Sequence, residues 1–299
     1  MEQQKKVLNV GLSIICGIAL IGFILGSFLD QKIATSLGNY DSVFGILLTM
    51  LTPVLSLAVG EIAGALLFFM PEINHKTWNI VLRILGGVAF CAFSAFAIKE
   101  GIEYIDFPRM SANETTYKVL AITLVVLIDI AIILFVKLAM KHIATERIVP
   151  TVITIFAIIA AWLLVSEVVK YVASRPRPRN IYIEQVAEFR NWFSFKPLLC
   201  LKEEFKDCKS FVSGHTFIST CLVCALPLTL SLNKKNTGIR LTIIGLAVGG
   251  AFSFVVAFSR MVAYAHFMTD VMGAIILSCG SQAAIINVAP LIYNKVKNR

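Results

Sequence analysis

The chain has 299 residues, 58% of them hydrophobic and 15% charged, with a mean hydropathy of +0.81 and a formal net charge of +9. A soluble domain holds roughly 45–50% apolar residues, so this composition excludes an ordinary soluble fold. The Lys and Arg excess lies mostly in short polar connections, where it sets membrane topology, and no nucleic-acid partner is inferred from it.

Apolar runs of about 20 residues, enough to cross a bilayer, follow one another from the N-terminus. Residues 1–6 are basic and 7–29 apolar, without the short core and small-residue cleavage site of a signal peptide, which predicts a retained first span. Further spans are expected at 43–70, 78–98, 117–140 and 148–172, and beyond a polar stretch at 215–232, 241–258 and 267–293. That makes about eight. Continuous runs without strict alternation exclude a β-barrel. The expected fold is all-α: a polytopic helical membrane protein, with N-terminal helices of unassigned role at 1–147 and a helical core at 148–299.

Lys5, Lys6, Lys137, Lys141, Arg147, Lys234, Lys235, Arg240, Lys295, Lys297 and Arg299 all fall on one side, which the positive-inside rule makes cytoplasmic. The connection 102–116, with Glu103, Asp106 and Glu114, falls outside. So does the loop 173–213, in spite of its cations, and charges that break the rule point to function. Trp192, Phe193 and Phe195, interspersed with Ile183, Val186, Glu184, Glu188 and Arg190, predict a helix lying in the membrane interface. Cys200 and Cys208 share this loop and can pair if it faces an oxidising compartment. Cys221 and Cys224 lie in an apolar run and are expected to pack. Gly60 with Gly64, and Gly245 with Gly249, have the spacing of close helix contacts, although glycine is also common in spans. Glu61 and Asp129 lie mid-span, where a carboxylate must be neutral or paired.

Three polar clusters interrupt the second half. The first runs from Lys170 through Arg175 and Arg177 to Pro178, the second is Val212-Ser213-Gly214-His215, and the third is Ser259-Arg260 followed by His266 and Asp270. By the span count all three reach the same outer face. Cations neutralise a phosphate and the charge that develops on it, and Arg offers it a planar fork of donors. Pro176 and Pro178 stiffen the chain around Arg177. Gly214 at a helix start lets backbone approach a ligand, and Ser213 either donates a hydroxyl or caps the helix. His215 suits a general acid. His266 and Asp270, four apart, share a helix face, so a carboxylate held against one imidazole nitrogen leaves the other free to attack phosphorus. His75 and His142 fall in expected cytoplasmic loops and read as solvated.

In order and spacing these clusters fit K-x6-R-P, a near P-S-G-H with Val212 in place of Pro, and S-R-x5-H-x3-D. Across roughly 155–281 the chain resembles the type 2 phosphatidic-acid phosphatase superfamily, which also includes vanadium haloperoxidases. The resemblance implies a metal-independent, cofactor-free phosphatase in which His266 forms a phosphohistidine and Asp270 orients it. It implies that His215 protonates the leaving group, and that Lys170, Arg177, Ser213, Gly214 and Arg260 bind phosphate. The expected activity is hydrolysis of a lipid phosphate or pyrophosphate, such as undecaprenyl pyrophosphate or phosphatidate, at the outer face of the plasma membrane. A lipid phosphotransferase using the same site, or a non-catalytic lipid-binding or transport protein, is the alternative. The expected partners are the lipid substrate and membrane lipids, with no obligate protein partner. Membrane members typically have six spans with three before the first motif, whereas five are counted here.

Overall fold

A computed structural model describes residues 2–71, 76–103, 114–203, 207–232 and 239–297. Long helices account for the expected runs: α1 (Glu2–Leu37), α2 (Val43–Phe68), α3 (Lys76–Glu103), α4 (Glu114–Ala139), α5 (Ile148–Ala173), a short α6 (Pro178–Tyr182), α7 (Gly214–Leu230), α8 (Ile239–Val262) and α9 (Met268–Lys297). No strand occurs among the described residues. Seven of these helices are long and apolar enough to cross a membrane, and α7, with 17 residues, is shorter. It rises about 26 Å against a hydrocarbon thickness of about 30 Å. The protein is an all-α, multi-pass membrane protein. Five helices of span length precede the loop that follows α5. Several residues used above for topology, Asp106, Lys234, Lys235 and Arg299, and also His75, lie outside the described residues, as do the side chains of Glu103, Lys295 and Lys297. His142 is exposed, in a short 3-10 turn.

The N-terminal helices are packed into the core. Helix α1 lies along α9 and α8, while α2 contacts α3, α4, α5, α7 and α8. Small residues set the closest approaches. A Cβ added to Gly64 would lie 2.8 Å from the Gly86 carbonyl oxygen, and one on Gly249 would lie 2.8 Å from the Leu222 carbonyl carbon. The backbones of α2 and α3, and of α7 and α8, therefore touch, which in lipid is a main source of helix association. Glu61 of α2, 1% exposed, lies beside Asp129 of α4, and Ser94 of α3 donates to Asp129 Oδ2 at 2.7 Å. The two mid-span carboxyl groups are thus neighbours between packed helices, as expected for carboxyl groups at membrane depth.

The loop after α6 departs from expectation. Apart from a 3-10 turn at Leu199–Leu201, its described residues form turns and extended chain, with Gln185 and Leu198 at positive φ (54° and 60°), and no interfacial helix forms. The reason is tertiary. Trp192 turns inward onto Phe23 of α1, ring centroids 4.7 Å apart, and its Nε1 donates to Ser27 at 2.9 Å. Phe189 meets Phe267 edge-on at 5.3 Å. Cys200 and Cys208 are buried free thiols, and Cys221 and Cys224 are packed in the core.

If the α2–α3 backbone contact carries stability, Gly64→Val will lower the melting temperature in detergent by on the order of 5 °C. Gly17→Val, at a position with nothing within 4 Å, will leave it unchanged. Equal melting of both variants would remove the contact from that role.

Candidate active site

The first cluster is shaped by a reversal at the end of α5. Ser174 closes the helix in the left-handed conformation, φ 42° and ψ 47°, and its hydroxyl donates to the Tyr171 carbonyl at 3.1 Å. The chain then runs through two prolines, and the backbone N–H of Arg179 donates to the Tyr264 carbonyl at 2.9 Å, which holds this segment against the turn after α8. As a result Lys170 and Arg177 border a cavity, whereas Arg175 points into the core.

That cavity, about 370 Å³, collects residues from five helices and three connections. Lys170, Arg177, Gly214, His215, Arg260 and His266 all line it. Ser213 and Asp270 do not; both are completely buried behind it. Ser213 is the N-cap of α7, its Oγ accepting from the Thr216 N–H at 3.4 Å and the Thr216 hydroxyl at 3.0 Å. Gly214 is placed so that a Cβ would come within 3.2 Å of Lys170 Nζ. Glycine here lets the ammonium and the start of α7 share one wall.

His266 precedes α9 instead of lying on it, because the helix begins at Met268. Two acceptors fix that start: Asp30 Oδ1, from the Thr269 N–H at 3.0 Å, and Asp270 Oδ2, from the Phe267 N–H at 2.8 Å. The partner of His266 Nδ1 is the backbone carbonyl of Ser210 at 2.8 Å, and the Asp270 carboxylate stands 3.9 Å away. A carbonyl only accepts, so Nδ1 carries the proton and Nε2 keeps its lone pair. The tautomer expected from a carboxylate contact is therefore set by a carbonyl. Asp270 acts one bond further back, accepting from the Ser210 hydroxyl at 2.5 Å. Burial, then the cations of Arg260 and Arg177, hold the His266 imidazole well below the usual histidine range. It is neutral at neutral pH, as an attacking nitrogen must be.

Arg175 belongs to a different network from the other cations. It is 2% exposed, with Nη1 2.6 Å from Asp270 Oδ1 and Nη2 2.9 Å from Asp30 Oδ2. Sequence alone counted it among the cations of the first cluster but assigned it no part in phosphate binding. Helix α2 also enters the site unannounced: the Thr49 hydroxyl accepts from Arg260 Nη1, and its backbone hydrogen-bonds His215. From α3 come Phe96, Lys99 and Glu100, and beside Ser210 stands Lys209, all four lining the cavity. No spacing rule reaches residues this far from the three clusters.

The lining has five cations (Lys99, Lys170, Arg177, Lys209 and Arg260) against two carboxylates, Glu100 and Glu167. Such a surplus attracts an anion with several negative charges, and His215 and His266 flank it with acid–base and nucleophilic groups. Glu167 pairs with Lys170 at 2.5 Å and is the internal competitor for that ammonium. Among the described residues no group of three His, Cys, Asp or Glu side chains is arranged to hold a metal ion. Glu167→Gln is expected to tighten the binding of inorganic phosphate about twofold to fivefold by calorimetry, and Lys170→Met to weaken it. Weaker binding to Glu167→Gln would mean that Glu167 orients Lys170 instead of competing for it.

Residues 150–292, from the start of α5 to near the end of α9, match the family model described as the PAP2 superfamily, which supports a phosphatase activity. A search of curated proteins finds no match, and neither does a search of solved structures.

Proposed function

We propose that this chain, which belongs to the PAP2 superfamily through residues 150–292, is an integral-membrane phosphatase that hydrolyses a lipid phosphate or lipid pyrophosphate through a phosphohistidine. The observation that carries this reading is the convergence of Lys170, Arg177, Arg260, His215 and His266 on one cavity. In the proposed reaction Lys170, Arg177 and Arg260 hold the phosphoryl oxygens, aided by Gly214 at the start of α7. His266 Nε2 attacks phosphorus and His215 passes a proton to the departing alkoxide. Water, deprotonated by His215, then releases inorganic phosphate and restores both histidines. Ser213 holds the start of α7 in place, and Asp270 acts on His266 through Ser210. No metal or cofactor is assigned a role.

The apolar part of the lining, Pro53, Phe96, Trp162, Leu163 and Ile218, supports a substrate whose leaving group carries a hydrocarbon chain. The loop charges described above favour a site that opens on the extracytoplasmic face of the plasma membrane.

Purified protein is expected to release inorganic phosphate from at least one member of a panel of polyprenyl, glycerol-based and sphingoid lipid phosphates, with no added acceptor. His266→Ala should reduce release to background and His215→Ala should slow it about 10²–10⁴-fold. Release only in the presence of an acceptor alcohol would identify a phosphotransferase. Retained turnover in His266→Ala would remove that residue from its role.

The pH dependence has a definite sign. Because its surroundings disfavour the imidazolium, His266 stays neutral until the pH falls below the ordinary histidine value. The acid limb of kcat/KM, corrected for ionisation of the substrate, should therefore lie below about pH 6.5. The imidazolium of His215 is disfavoured by the same causes, burial first and then Arg260, Lys170 and Arg177, so the alkaline limb, from loss of this acid, closes a bell from below the ordinary histidine value as well. An acid limb above pH 7 would contradict this environment for His266.

A further inference from the structure

A run of hydrogen bonds connects the cavity to the first helix. His266 Nδ1 donates to the Ser210 carbonyl at 2.8 Å, and the Ser210 hydroxyl donates to Asp270 Oδ2 at 2.5 Å. Asp270 Oδ1 accepts from Arg175 Nη1 at 2.6 Å, and Arg175 Nη2 donates to Asp30 Oδ2 at 2.9 Å. Asp30 closes the circuit on α9 through Oδ1, which accepts from the Thr269 N–H at 3.0 Å, and through Oδ2, which also takes the Thr269 hydroxyl. Asp30 is 4% exposed and lies on α1, well outside the family-matched segment.

We propose that Asp30 is a positioning residue of the reaction: from α1 it fixes, through Arg175, Asp270 and Ser210, the orientation and tautomer of His266. The inference rests on the phosphatase reading above and adds to it a residue that does not border the cavity. The physical argument is one of over-determination. Arg175 is a single planar cation whose forks are shared between two carboxylates, so each carboxylate limits how far the guanidinium can swing toward the other. If the Asp30 charge is removed, Nη2 has no anion to face, and an amide at this position must aim its NH2 group at a donor, either the Thr269 N–H or Arg175 Nη2. The guanidinium and Asp270 then shift together. Because Asp30 also caps the start of α9, the turn carrying His266 shifts with them. In-line attack tolerates little of this: displacement by about 1 Å at a reacting group is worth on the order of 10² in rate.

A merely structural anchor for α1 would lower stability without changing the turnover of correctly folded molecules, and the test is built on that difference. Asp30→Asn is expected to lower kcat about tenfold to a hundredfold when rates are expressed per inorganic-phosphate-binding site. The inhibition constant of phosphate should stay within about twofold, since the lining cations are untouched. Asp30→Glu, which keeps the charge on a longer arm, should recover part of kcat. The chain has only four histidines, so 15N-histidine spectra resolve the tautomer directly. Wild-type His266 should be protonated at Nδ1, and Asp30→Asn should show a mixture. Wild-type kcat per binding site in Asp30→Asn, or an unaltered tautomer, overturns the proposal however far the melting temperature falls. If Asp30→Asn cannot be obtained folded, Asp30→Glu carries the test: a several-fold loss of kcat at constant phosphate inhibition supports the role, and full activity refutes it. If the wild-type protein releases no phosphate from any substrate, the phosphatase reading is what fails, and the tautomer comparison still decides the role of Asp30.

Discussion

One buried guanidinium organises the end of the bundle where the cavity lies. Arg175 has its Nε on the Arg190 carbonyl at 2.8 Å, its two terminal nitrogens on Asp270, Thr269 and Asp30, and its plane 4.3 Å from the Phe267 ring. A charge inside a lipid-embedded bundle is tolerated only where every donor finds an acceptor and an opposite charge lies close. Meeting that requirement here takes a residue from α1, a carbonyl from the loop after α6 and the first turn of α9. Three segments distant in sequence are thus pinned to one group, and the chemistry is assembled beside it. The same contacts decide where α9 begins, and so why His266 sits on a turn instead of a helix face.

The N-terminal helices gain a role from this arrangement. The family-matched segment, 150–292, carries every side chain assigned to bond making or proton transfer. It does not by itself complete the enclosure. Thr49 of α2 reaches both Arg260 and His215, while Pro53 of α2 and Phe96, Lys99 and Glu100 of α3 form a wall of the cavity. Cations facing a ligand are most effective when water is excluded around them, since interaction energies rise as the local dielectric falls. Helices α2 and α3 form that side of the cavity, and they approach each other closely at Gly64 and Gly86.

The sequence disclosed much of this and withheld the rest for identifiable reasons. Spans were legible because a bilayer imposes a length and a polarity that a run such as 117–140 cannot disguise. Lys170, Arg177, His215, Arg260 and His266 were legible because their spacing along the chain is distinctive. What spacing cannot report is direction. The K-x6-R-P spacing singles out Arg177, but it does not say that Arg175, two positions earlier, turns into the core. The interfacial helix expected near Trp192 failed for a related reason: its aromatic residues find Phe23 and Ser27 on α1, a partner more than 160 positions away. Asp30 and Thr49 carried no signal: Asp30 stands with Gln31 and Lys32 just past the first apolar run, where polar residues are ordinary, and a lone threonine within a span has many bland uses. The Nδ1 partner of His266 is a backbone atom, to which side-chain motifs are blind.

The left-handed turn at Ser174 has one more implication, which concerns register. Two arginines that differ by two positions face opposite ways: one as a rivet between helices, the other bordering the cavity. Loss of Pro176 alone would leave the net charge of this stretch untouched, yet would shift which arginine meets the buried carboxylates and which meets the cavity. A change of length here would therefore act through register, even where the charge of the segment is preserved.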